Sequence, residues 1–380
     1  MNNLVLLCLA LVLTVAFGLM LYLTTNIFAP YFWIFLYAFL ITLIISRLAG
    51  KFKRFVFNFS FVFLAFSIFE LYFAFKEQSQ KEIWEGDYAK NYFVEDSIRG
   101  YGVERKREKY AAIKKNPDGK VLYKVEYNID DTGLRKTPWK NSEPIFFFGD
   151  SFTFGEGVQD SESLPYIFSE ISGYKTYNFG FHGYGPHQML RMLEVDLPTQ
   201  LVRRNPKFVI YTAITPHIDR AAGYASWDQI GPYYKLLNGV PTYAGKINEN
   251  KYLPTFIFKI VDRSEIYIHV ILPFIEKENR TRDRERFVAI IERSKQLVNQ
   301  RYDAQFIVLL WDCRRVSTLD EGDSNYIKDK LVESGVRFFS LSERIPGICD
   351  SKYYIPSEGH PNGIAYKSVA EFLSSELPQR

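Results

Sequence analysis

Three long apolar runs open the chain, and the first charged side chain is Arg47. A single helix of the 46 uncharged residues that precede it would be roughly 70 Å long, about twice the hydrocarbon thickness of a bilayer. The chain therefore has to fold back, and Thr24-Thr25-Asn26 together with Pro30 supply the break. The pattern predicts a membrane anchor over residues 1–76, with transmembrane helices at about 4–23, 31–46 and 55–75.

Basic residues between the apolar runs predict the orientation of this anchor. None lies between the first and second runs, whereas the connection between the second and third runs holds Arg47, Lys51, Lys53 and Arg54. By the positive-inside rule, that connection and the amino terminus are cytoplasmic, and everything after Lys76 lies outside the cytoplasm. We therefore expect a multi-pass protein of a bacterial inner or plasma membrane, with its main domain outside.

Two features of the anchor leave alternatives open. The first run could be a cleaved signal peptide, although no basic segment or clear cleavage site accompanies it, and a soluble protein could bury all three runs as helices. Glu70, near the far end of the third run, either reaches the membrane interface or lines a helix–helix contact. We favour an uncleaved anchor and an interfacial Glu70.

After the anchor, continuous apolar runs give way to alternating patterns. Residues 77–143 are predicted to form a linker and a small β-rich segment, with a strand at Lys120–Asn128 and a turn at Asp130-Asp131-Thr132-Gly133. Residues 144–380 alternate short apolar strands with helices, which is typical of an α/β domain with a parallel sheet. The predicted strands are Ile145–Phe148, Thr176–Phe181, Phe208–Ala213, Gln305–Trp311 and Val336–Leu341. The predicted helices are Ser163–Ser172, Pro186–Leu201, Arg282–Tyr302, Asn325–Ser334 and Gly363–Leu377.

Two stretches of this domain do not fit the alternation. Ile214–Pro254 lacks clear periodicity and is rich in Gly, Tyr and Pro, so it predicts a functional loop or lid. Phe256–Pro273 is compatible with either a strand or a helix.

Composition excludes some classes of function. The 380 residues carry a net charge of only +4, which gives no reason to expect nucleic-acid binding. Three cysteines are too few for a disulfide scaffold or a zinc cage. Cys8 lies in an apolar run and is interpreted as packing. Cys313 and Cys349 each follow a predicted strand, so they either pair in an oxidising compartment or remain free.

The candidate chemistry centres on the end of the first predicted strand. Ile145–Phe148 is apolar at every position, as expected of a strand buried on both faces. Gly149-Asp150-Ser151 follows directly, so Ser151 lies past the carboxyl end of a buried strand, where open α/β sheets bind ligands. Gly149 allows a sharp turn, and Asp150 is assigned to the structure of that turn rather than to proton transfer.

A nucleophilic serine needs a base and donors for the oxyanion that forms. Of the five histidines, His360 is the strongest candidate base, because it follows the last predicted strand and so lies at the same sheet edge as Ser151. Glu358, two residues earlier, could hold the imidazole in the correct tautomer. Gly183 follows the second strand, and its N–H group is a candidate oxyanion donor. Considered alone, His360 and Gly183 are each more often ordinary loop residues than parts of a catalytic site.

Together these residues resemble the SGNH (GDSL) hydrolase superfamily. The resemblance covers about Pro144–Leu377 and rests on Gly149-Asp150-Ser151, on Gly183 and on His360 before the closing helix. Thr132-Gly133-Leu134-Arg135 also resembles the segment that precedes the nucleophile strand in bacterial members. The resemblance implies a flavodoxin-like three-layer α/β/α fold and ester or acyl-transfer chemistry through an acyl-serine.

Two positions depart from the family pattern. The usual third-block Asn is absent from Ile214–Arg220, so Thr215 or His217 could complete the oxyanion hole, or two backbone N–H groups could suffice. Ser357 occupies the usual position of the acid. Glu358 instead resembles the Asp-x-His spacing of the alginate O-acetyltransferase branch.

We therefore expect a membrane-anchored serine esterase outside the cytoplasm, in which Glu358 orients His360 and His360 activates Ser151. The N–H groups of Ser151 and Gly183 would hold the oxyanion, and no metal or cofactor is expected. One alternative is an O-acyltransferase that modifies a cell-surface polysaccharide with the help of a membrane-bound acyltransferase partner. The other is an inactive glycan-binding module that stacks sugar rings on Tyr224, Trp227, Tyr233 and Tyr234.

Overall fold

A computed structural model of the chain describes residues 3–23, 29–90, 92–105, 107–250, 263–313 and 320–378. These residues belong to two compact units. The first comprises Met1–Lys81 with Leu253–Glu278, and the second comprises Glu82–Tyr252 with Asn279–Arg380.

Apolar helices form the first unit. They are α1 Asn3–Leu23, α2 Pro30–Leu48 and α3 Lys53–Gln80. Helices therefore occur where the three apolar runs predict them. Among the described residues, Pro30–Leu48 and Gly50–Gln80 are long and apolar enough to cross a membrane, whereas Cys8–Gly18 of α1 is a shorter apolar stretch. The count of three transmembrane helices stays a prediction.

Glu70 lies in a contact between helical segments and not at an exposed interface, contrary to our interpretation of the sequence. Its side chain is 1% exposed. It accepts a hydrogen bond from the hydroxyl of Ser264, and two more from the backbone N–H groups of Glu265 at 2.9 Å and Ile266 at 3.3 Å. These donors compensate for the water that the carboxylate loses. Glu70 thus caps the start of the helical segment that begins at Glu265.

Twelve strands and nine α-helices make up the described part of the second unit, counting α9, which begins in the first unit. The strands are β1 Ile83–Gly86, β2 Phe93–Asp96, β3 Gly100–Val103, β4 Lys109–Lys115, β5 Val121–Asn128, β6 Pro144–Phe148, β7 Lys175–Asn178, β8 Phe208–Ala213, β9 Pro232–Leu237, β10 Val240–Lys246, β11 Gln305–Leu310 and β12 Arg337–Ser340. The helices are α4 Ser151–Phe154, α5 Leu164–Ser172, α6 Pro186–Glu194, α7 Leu197–Val202, α8 His217–Ala222, α9 Leu272–Tyr302, α10 Asp320–Glu333, α11 Leu341–Arg344 and α12 Gly363–Glu376.

Five of these strands form the central sheet, in the order β12-β11-β8-β6-β7. All neighbouring pairs are parallel. Numbered along the chain, the order is 2-1-3-4-5, which is the flavodoxin-like arrangement with a switch point beside its first strand. The predicted parallel α/β fold is confirmed, and Ser151 follows the strand at the switch point.

Helices cover both faces of this sheet, because successive side chains of a strand point in opposite directions. Ile145 and Phe147 pack with α5 and α12, whereas Phe146 and Phe148 pack with α6 and α9; all four are fully buried. The two apolar clusters fix the sheet between two helical layers, so the three-layer architecture expected from the sequence is present.

The predicted elements differ from the structure in detail. The helix predicted over Pro186–Leu201 is two helices, α6 and α7, because Asp196 adopts a left-handed conformation with φ of 56° between them. The stretch Ile214–Pro254 contains α8 and the antiparallel hairpin β9–β10. Residues 256–262 of the ambiguous stretch lie outside the described residues, and residues 265–273 are helical.

The segment before the main sheet is β-rich, as predicted. Strands β1, β4 and β5 form one antiparallel sheet, and β2 and β3 form another. This segment lies in the same compact unit as the α/β fold.

Cys313 and Cys349 form a disulfide, which decides between the two alternatives that the sequence left open. The bond joins residues 36 positions apart, after β11 and after β12. It therefore connects the segments that follow two adjacent strands of the sheet.

We predict that replacing both cysteines, as Cys313→Ser with Cys349→Ser, lowers the stability of the second unit by roughly 3–4 kcal/mol, because the bond restricts the unfolded chain. Thermal unfolding of the detergent-solubilised full chain should show a decrease in Tm of roughly 10 °C. Cys8→Ser is the matched control and should leave Tm unchanged. An unchanged Tm in the double variant would show that the bond contributes nothing.

Candidate active site

The turn that presents Ser151 requires a glycine at position 149. Gly149 has a φ of +148°, and a Cβ at this position would lie 2.2 Å from Oγ1 of Thr153 and 3.0 Å from the carbonyl oxygen of Thr212. The chain can turn sharply here only because that atom is missing. Ser151 then starts α4 and is 5% exposed.

Asp150 stabilises this turn through the hydrogen bonds of its carboxylate. Its carboxylate accepts a hydrogen bond from the N–H of Phe152 at 3.0 Å and another from the guanidinium of Arg220 at 2.7 Å. Nε2 of His217 lies 3.2 Å from the same carboxylate. Burial raises the pKa of Asp150, but the effect of His217 and Arg220 is larger and opposite. The pKa of Asp150 therefore lies well below its usual range. Asp150 is therefore an ionised structural residue of the turn.

His217 contributes to that support, which differs from its predicted place in the oxyanion hole. The ring is fully buried, and its Nδ1 lies 2.6 Å from the hydroxyl of Tyr211. Burial lowers the pKa of His217 to about 4, in spite of the nearby Asp150. Since both ring nitrogens face protein groups, neither is available to a substrate oxygen. Thr215 is also buried, at 4% exposure.

His360 joins Ser151 to Glu358 in one chain of hydrogen bonds. The hydroxyl of Ser151 lies 2.7 Å from Nε2 of His360, and Nδ1 of His360 lies 2.7 and 2.8 Å from the two oxygens of Glu358. The backbone N–H of His360 also donates to Glu358, at 2.8 Å. In the tautomer that this arrangement favours, Nδ1–H donates to the carboxylate and Nε2 accepts from the serine. The three residues predicted from the sequence are thus brought together.

Lys114 of β4 completes the surroundings of Glu358, and sequence reasoning did not find it. Its ammonium lies 2.7 Å from Glu358 and 2.8 Å from Glu82, and its side chain is 6% exposed. Burial raises the pKa of Glu358, but hydrogen bonding and the charge of His360, helped by Lys114, produce a net decrease. Glu358 is therefore held as a carboxylate.

A second carboxylate approaches His360 from the serine side. Glu156 lies 3.9 Å from Nε2 of His360 and 2.5 Å from Nδ1 of His182. Burial favours the neutral form of His360, but the charges of Glu156 and Glu358 outweigh it and raise its pKa to about 9. The only sequence signal for this residue was its position between Gly155 and Gly157, directly after the nucleophile turn.

Arg135 holds the loop that carries Glu156. Its buried guanidinium donates hydrogen bonds to the carbonyl oxygens of Phe154 at 2.8 Å, Gly155 at 2.5 Å and Val158 at 2.7 Å. This arginine belongs to the tract that the sequence singled out before the nucleophile strand. Its role is to hold the loop closed by donating to three of its backbone carbonyls at once.

Gly183 lies in a turn beside the nucleophile. Phe181, two residues earlier, donates its N–H to the carbonyl oxygen of Gly149 at 3.3 Å. Gly183 has a φ of +71°, and a Cβ there would lie 2.5 Å from Nε1 of Trp227 and 2.9 Å from the hydroxyl of Tyr101. Within the described part of the chain, the N–H groups of Ser151 and Gly183 donate no backbone hydrogen bond. These two N–H groups stay the predicted oxyanion donors.

Four aromatic residues were predicted as a sugar-stacking surface, and they lie in different environments. Tyr234 is fully buried and donates to Glu194, and Tyr224 donates to Asp283 at 2.8 Å. Tyr233 lies under the guanidinium of Arg286. Trp227 is 58% exposed, with its indole N–H 3.3 Å from the carbonyl oxygen of Gly183. Of these four residues, Trp227 is the one that is exposed next to Gly183.

Two groups of side chains bring three potential metal-ligand atoms within 4.8 Å of one another among the described residues. One is Glu156, Glu358 and His360, and the other is Glu77, Glu265 and His269. In the first group, each side chain already has a partner in the hydrogen-bond network of the site.

Comparison with known proteins gives matches among solved structures. No protein-family model matches the chain, and no curated protein matches it. The chain is similar to the psychrotrophic esterase EstA from Pseudoalteromonas sp., at 10% identity and a TM-score of 0.34, over 62% of this chain and 96% of that one. It is similar to AlinE4, an SGNH-hydrolase family esterase, at 13% identity and a TM-score of 0.33, over 63% of this chain and 100% of that one.

A third similar structure is the salicylyl-acyltransferase SsfX3 from a tetracycline biosynthetic pathway. It matches at 14% identity and a TM-score of 0.35, over 65% of this chain and 59% of that one. The superfamily that the motifs of this chain resemble, that of the SGNH hydrolases, is represented among the structures that it matches.

Proposed function

We propose that this protein is a membrane-anchored serine esterase that acts on acyl esters through an acyl-serine intermediate. The observation that supports the proposal is the continuous hydrogen-bond chain from Ser151 through His360 to Glu358. A serine hydroxyl becomes a useful nucleophile when a base accepts its proton and a third group orients that base. We assign these three roles to the three residues in that order.

In the first half of the reaction, Oγ of Ser151 attacks the carbonyl carbon of the ester while its proton moves to Nε2 of His360. The carbonyl electrons move onto oxygen, which accepts hydrogen bonds from the N–H groups of Ser151 and Gly183. Collapse of this intermediate breaks the ester C–O bond, and His360 returns the proton to the departing alcohol. In the second half, water attacks the acyl-serine, passes a proton through His360 to Ser151, and releases the carboxylic acid.

We propose that residues 1–76 anchor the enzyme by three transmembrane helices, that residues 77–143 are a linker and β-rich segment, and that residues 144–380 form the hydrolase domain. The basic residues between the second and third helices support a position of that domain outside the cytoplasm. The disulfide between Cys313 and Cys349 supports the same side, since such bonds persist mainly in oxidising compartments.

A second candidate function is transfer of the acyl group to a sugar hydroxyl of a cell-surface polysaccharide. The observation that favours it is Trp227, a large aromatic side chain that is 58% exposed beside Gly183. An aromatic face at this position suits the apolar face of a sugar ring. A transferase of this kind would need a membrane-bound acyltransferase partner to supply the acyl group. A third alternative, an inactive glycan-binding module, would use Trp227 without turnover.

We predict that Ser151→Ala and His360→Ala each reduce kcat for a small acyl ester by roughly 10⁴-fold or more, because nucleophile and base act as one unit. Fluorophosphonate labelling of the full chain in detergent should disappear in both variants. Ser161→Ala, an exposed serine in the loop after the nucleophile turn, is the control and should label as the wild type does. Labelling that persists in Ser151→Ala would reject the assignment.

We predict that kcat/KM for a small ester rises with pH through an apparent pKa of about 9. This is the value to which Glu156 and Glu358 raise the pKa of His360. The base must be neutral to accept the serine proton, so the rate decreases about tenfold for each pH unit below that value. Initial rates between about pH 6 and pH 10 provide the measurement. A profile that is already flat above pH 7 would contradict this prediction.

We predict that Trp227→Ala raises KM for an acetylated sugar by roughly tenfold, the value of one aromatic contact, and leaves KM for p-nitrophenyl acetate nearly unchanged. Trp227→Phe keeps an aromatic face and should retain most of the affinity for the sugar. An equal increase in KM for both esters would place Trp227 against the acyl group and remove the support for a sugar acceptor.

A further inference from the structure

Glu156 carries an ionised carboxylate into the centre of the site, although the reaction described above does not use it. Its side chain is 7% exposed. One oxygen contacts Nδ1 of His182 at 2.5 Å, and the other accepts a hydrogen bond from the hydroxyl of Tyr123 at 3.1 Å. Burial raises the pKa of Glu156, but the charges of His360 and His182 lower it well below its usual range.

His182 is itself held in one orientation. Its Nε2 lies 3.2 Å from the hydroxyl of Tyr92, and its backbone carbonyl accepts a hydrogen bond from Tyr101 at 2.8 Å. Burial lowers the pKa of His182, although the charge of Glu156 acts against this shift, and Nδ1 of the ring holds the Glu156 carboxylate. The position of the Glu156 carboxylate is therefore fixed by side chains from β5 and from the turn that ends in Gly183.

The direction from which Glu156 approaches His360 determines what it can do. Glu358 contacts Nδ1, whereas Glu156 lies 3.9 Å from Nε2. Nε2 is the atom that receives the proton of Ser151. A negative charge on this side stabilises the ring when Nε2 carries a proton, which is the form that exists after nucleophilic attack.

We propose that Glu156, oriented by His182 and Tyr123, is a positioning residue that sets the proton affinity of His360 from the side of the nucleophile. The proposal rests on the proposed esterase function, since it assigns a role relative to that base. Glu358 fixes the tautomer of the ring, and Glu156 fixes how readily the ring holds a second proton. The site thus uses two carboxylates on opposite nitrogens of one imidazole.

The other groups that face His360 do not supply this effect. Phe152 contributes an uncharged ring with its centroid 5.4 Å from that of His360. Lys114 of β4 carries a positive charge that opposes protonation of His360. His182, in the turn after β7, contacts Glu156 through its Nδ1. Among the described residues, the negative charges that act on the imidazole are therefore those of Glu156 and Glu358.

The test is the pH dependence of kcat/KM in Glu156→Gln, measured on the full chain in detergent. The glutamine keeps the size of the side chain and removes its charge, so we expect the midpoint of the profile to fall by about one to two pH units, the usual effect of a charge at this distance. Glu156→Asp keeps the charge and should restore most of the wild-type midpoint. A merely structural role for Glu156 would lower stability or kcat without moving the midpoint.

Glu162→Gln is the matched control, because this glutamate lies on the same loop, is exposed, and accepts a hydrogen bond from the N–H of Gln159 at 2.9 Å. Its profile should match that of the wild type. An unchanged midpoint in a folded Glu156→Gln enzyme would overturn the proposal. If Glu156→Gln does not fold, Glu156→Ala, which also removes the charge, takes its place: a lowered midpoint supports the proposal, and an unchanged midpoint overturns it.

A second measurement separates failure of this proposal from failure of the proposed function. The NMR titration of His360 in detergent micelles, assigned by its absence in His360→Ala, reports protonation without turnover. If the wild type hydrolyses no ester, the esterase proposal is lost, and the titration still tests Glu156. A His360 titration midpoint that is equal in wild type and Glu156→Gln would overturn the proposal in that case as well.

Discussion

A carboxylate can be buried only where hydrogen bonds and opposite charge replace the water that it loses, and three buried carboxylates surround Ser151. Asp150 is compensated by Arg220 and by the N–H of Phe152, which hold the nucleophile turn in place. Glu358 is compensated by His360 and Lys114. Because each carboxylate holds a different part of the site, the geometry around the serine depends on all three sets of partners.

The β-rich segment before the α/β fold supplies several of these partners. Lys114 of β4 bonds to Glu358, and Tyr123 of β5 bonds to Glu156. Tyr92 and Tyr101 bond to the ring and the backbone of His182. A segment expected to connect an anchor to a hydrolase domain therefore takes part in building the site. Its tyrosines supply several of the hydrogen bonds there.

The sequence was sufficient for the sheet and for the residues at its carboxyl edge, because both follow from local pattern and chain order. Ser151 and His360 could be named since each follows a strand of a parallel sheet, and such strands end at one edge. Glu156 and Lys114 could not be found in this way, because their partners are distant in the chain. The contacts of His217, one of the alternatives considered for the oxyanion hole, could not be found for the same reason: a histidine after a strand can face a substrate or a buried aspartate.

Glu70 shows how the order of synthesis constrains such contacts. Its partner Ser264 lies 194 residues further along the chain, which takes roughly 10–40 s to translate. If α3 enters the bilayer during synthesis, the carboxylate lacks these donors for that time, so water or the insertion machinery must contact it instead. A fragment that begins after Lys81 lacks Glu70 altogether and leaves the N–H groups of Glu265 and Ile266 without this acceptor. The helical segment that begins at Glu265 therefore depends on an amino-terminal helix for its capping residue.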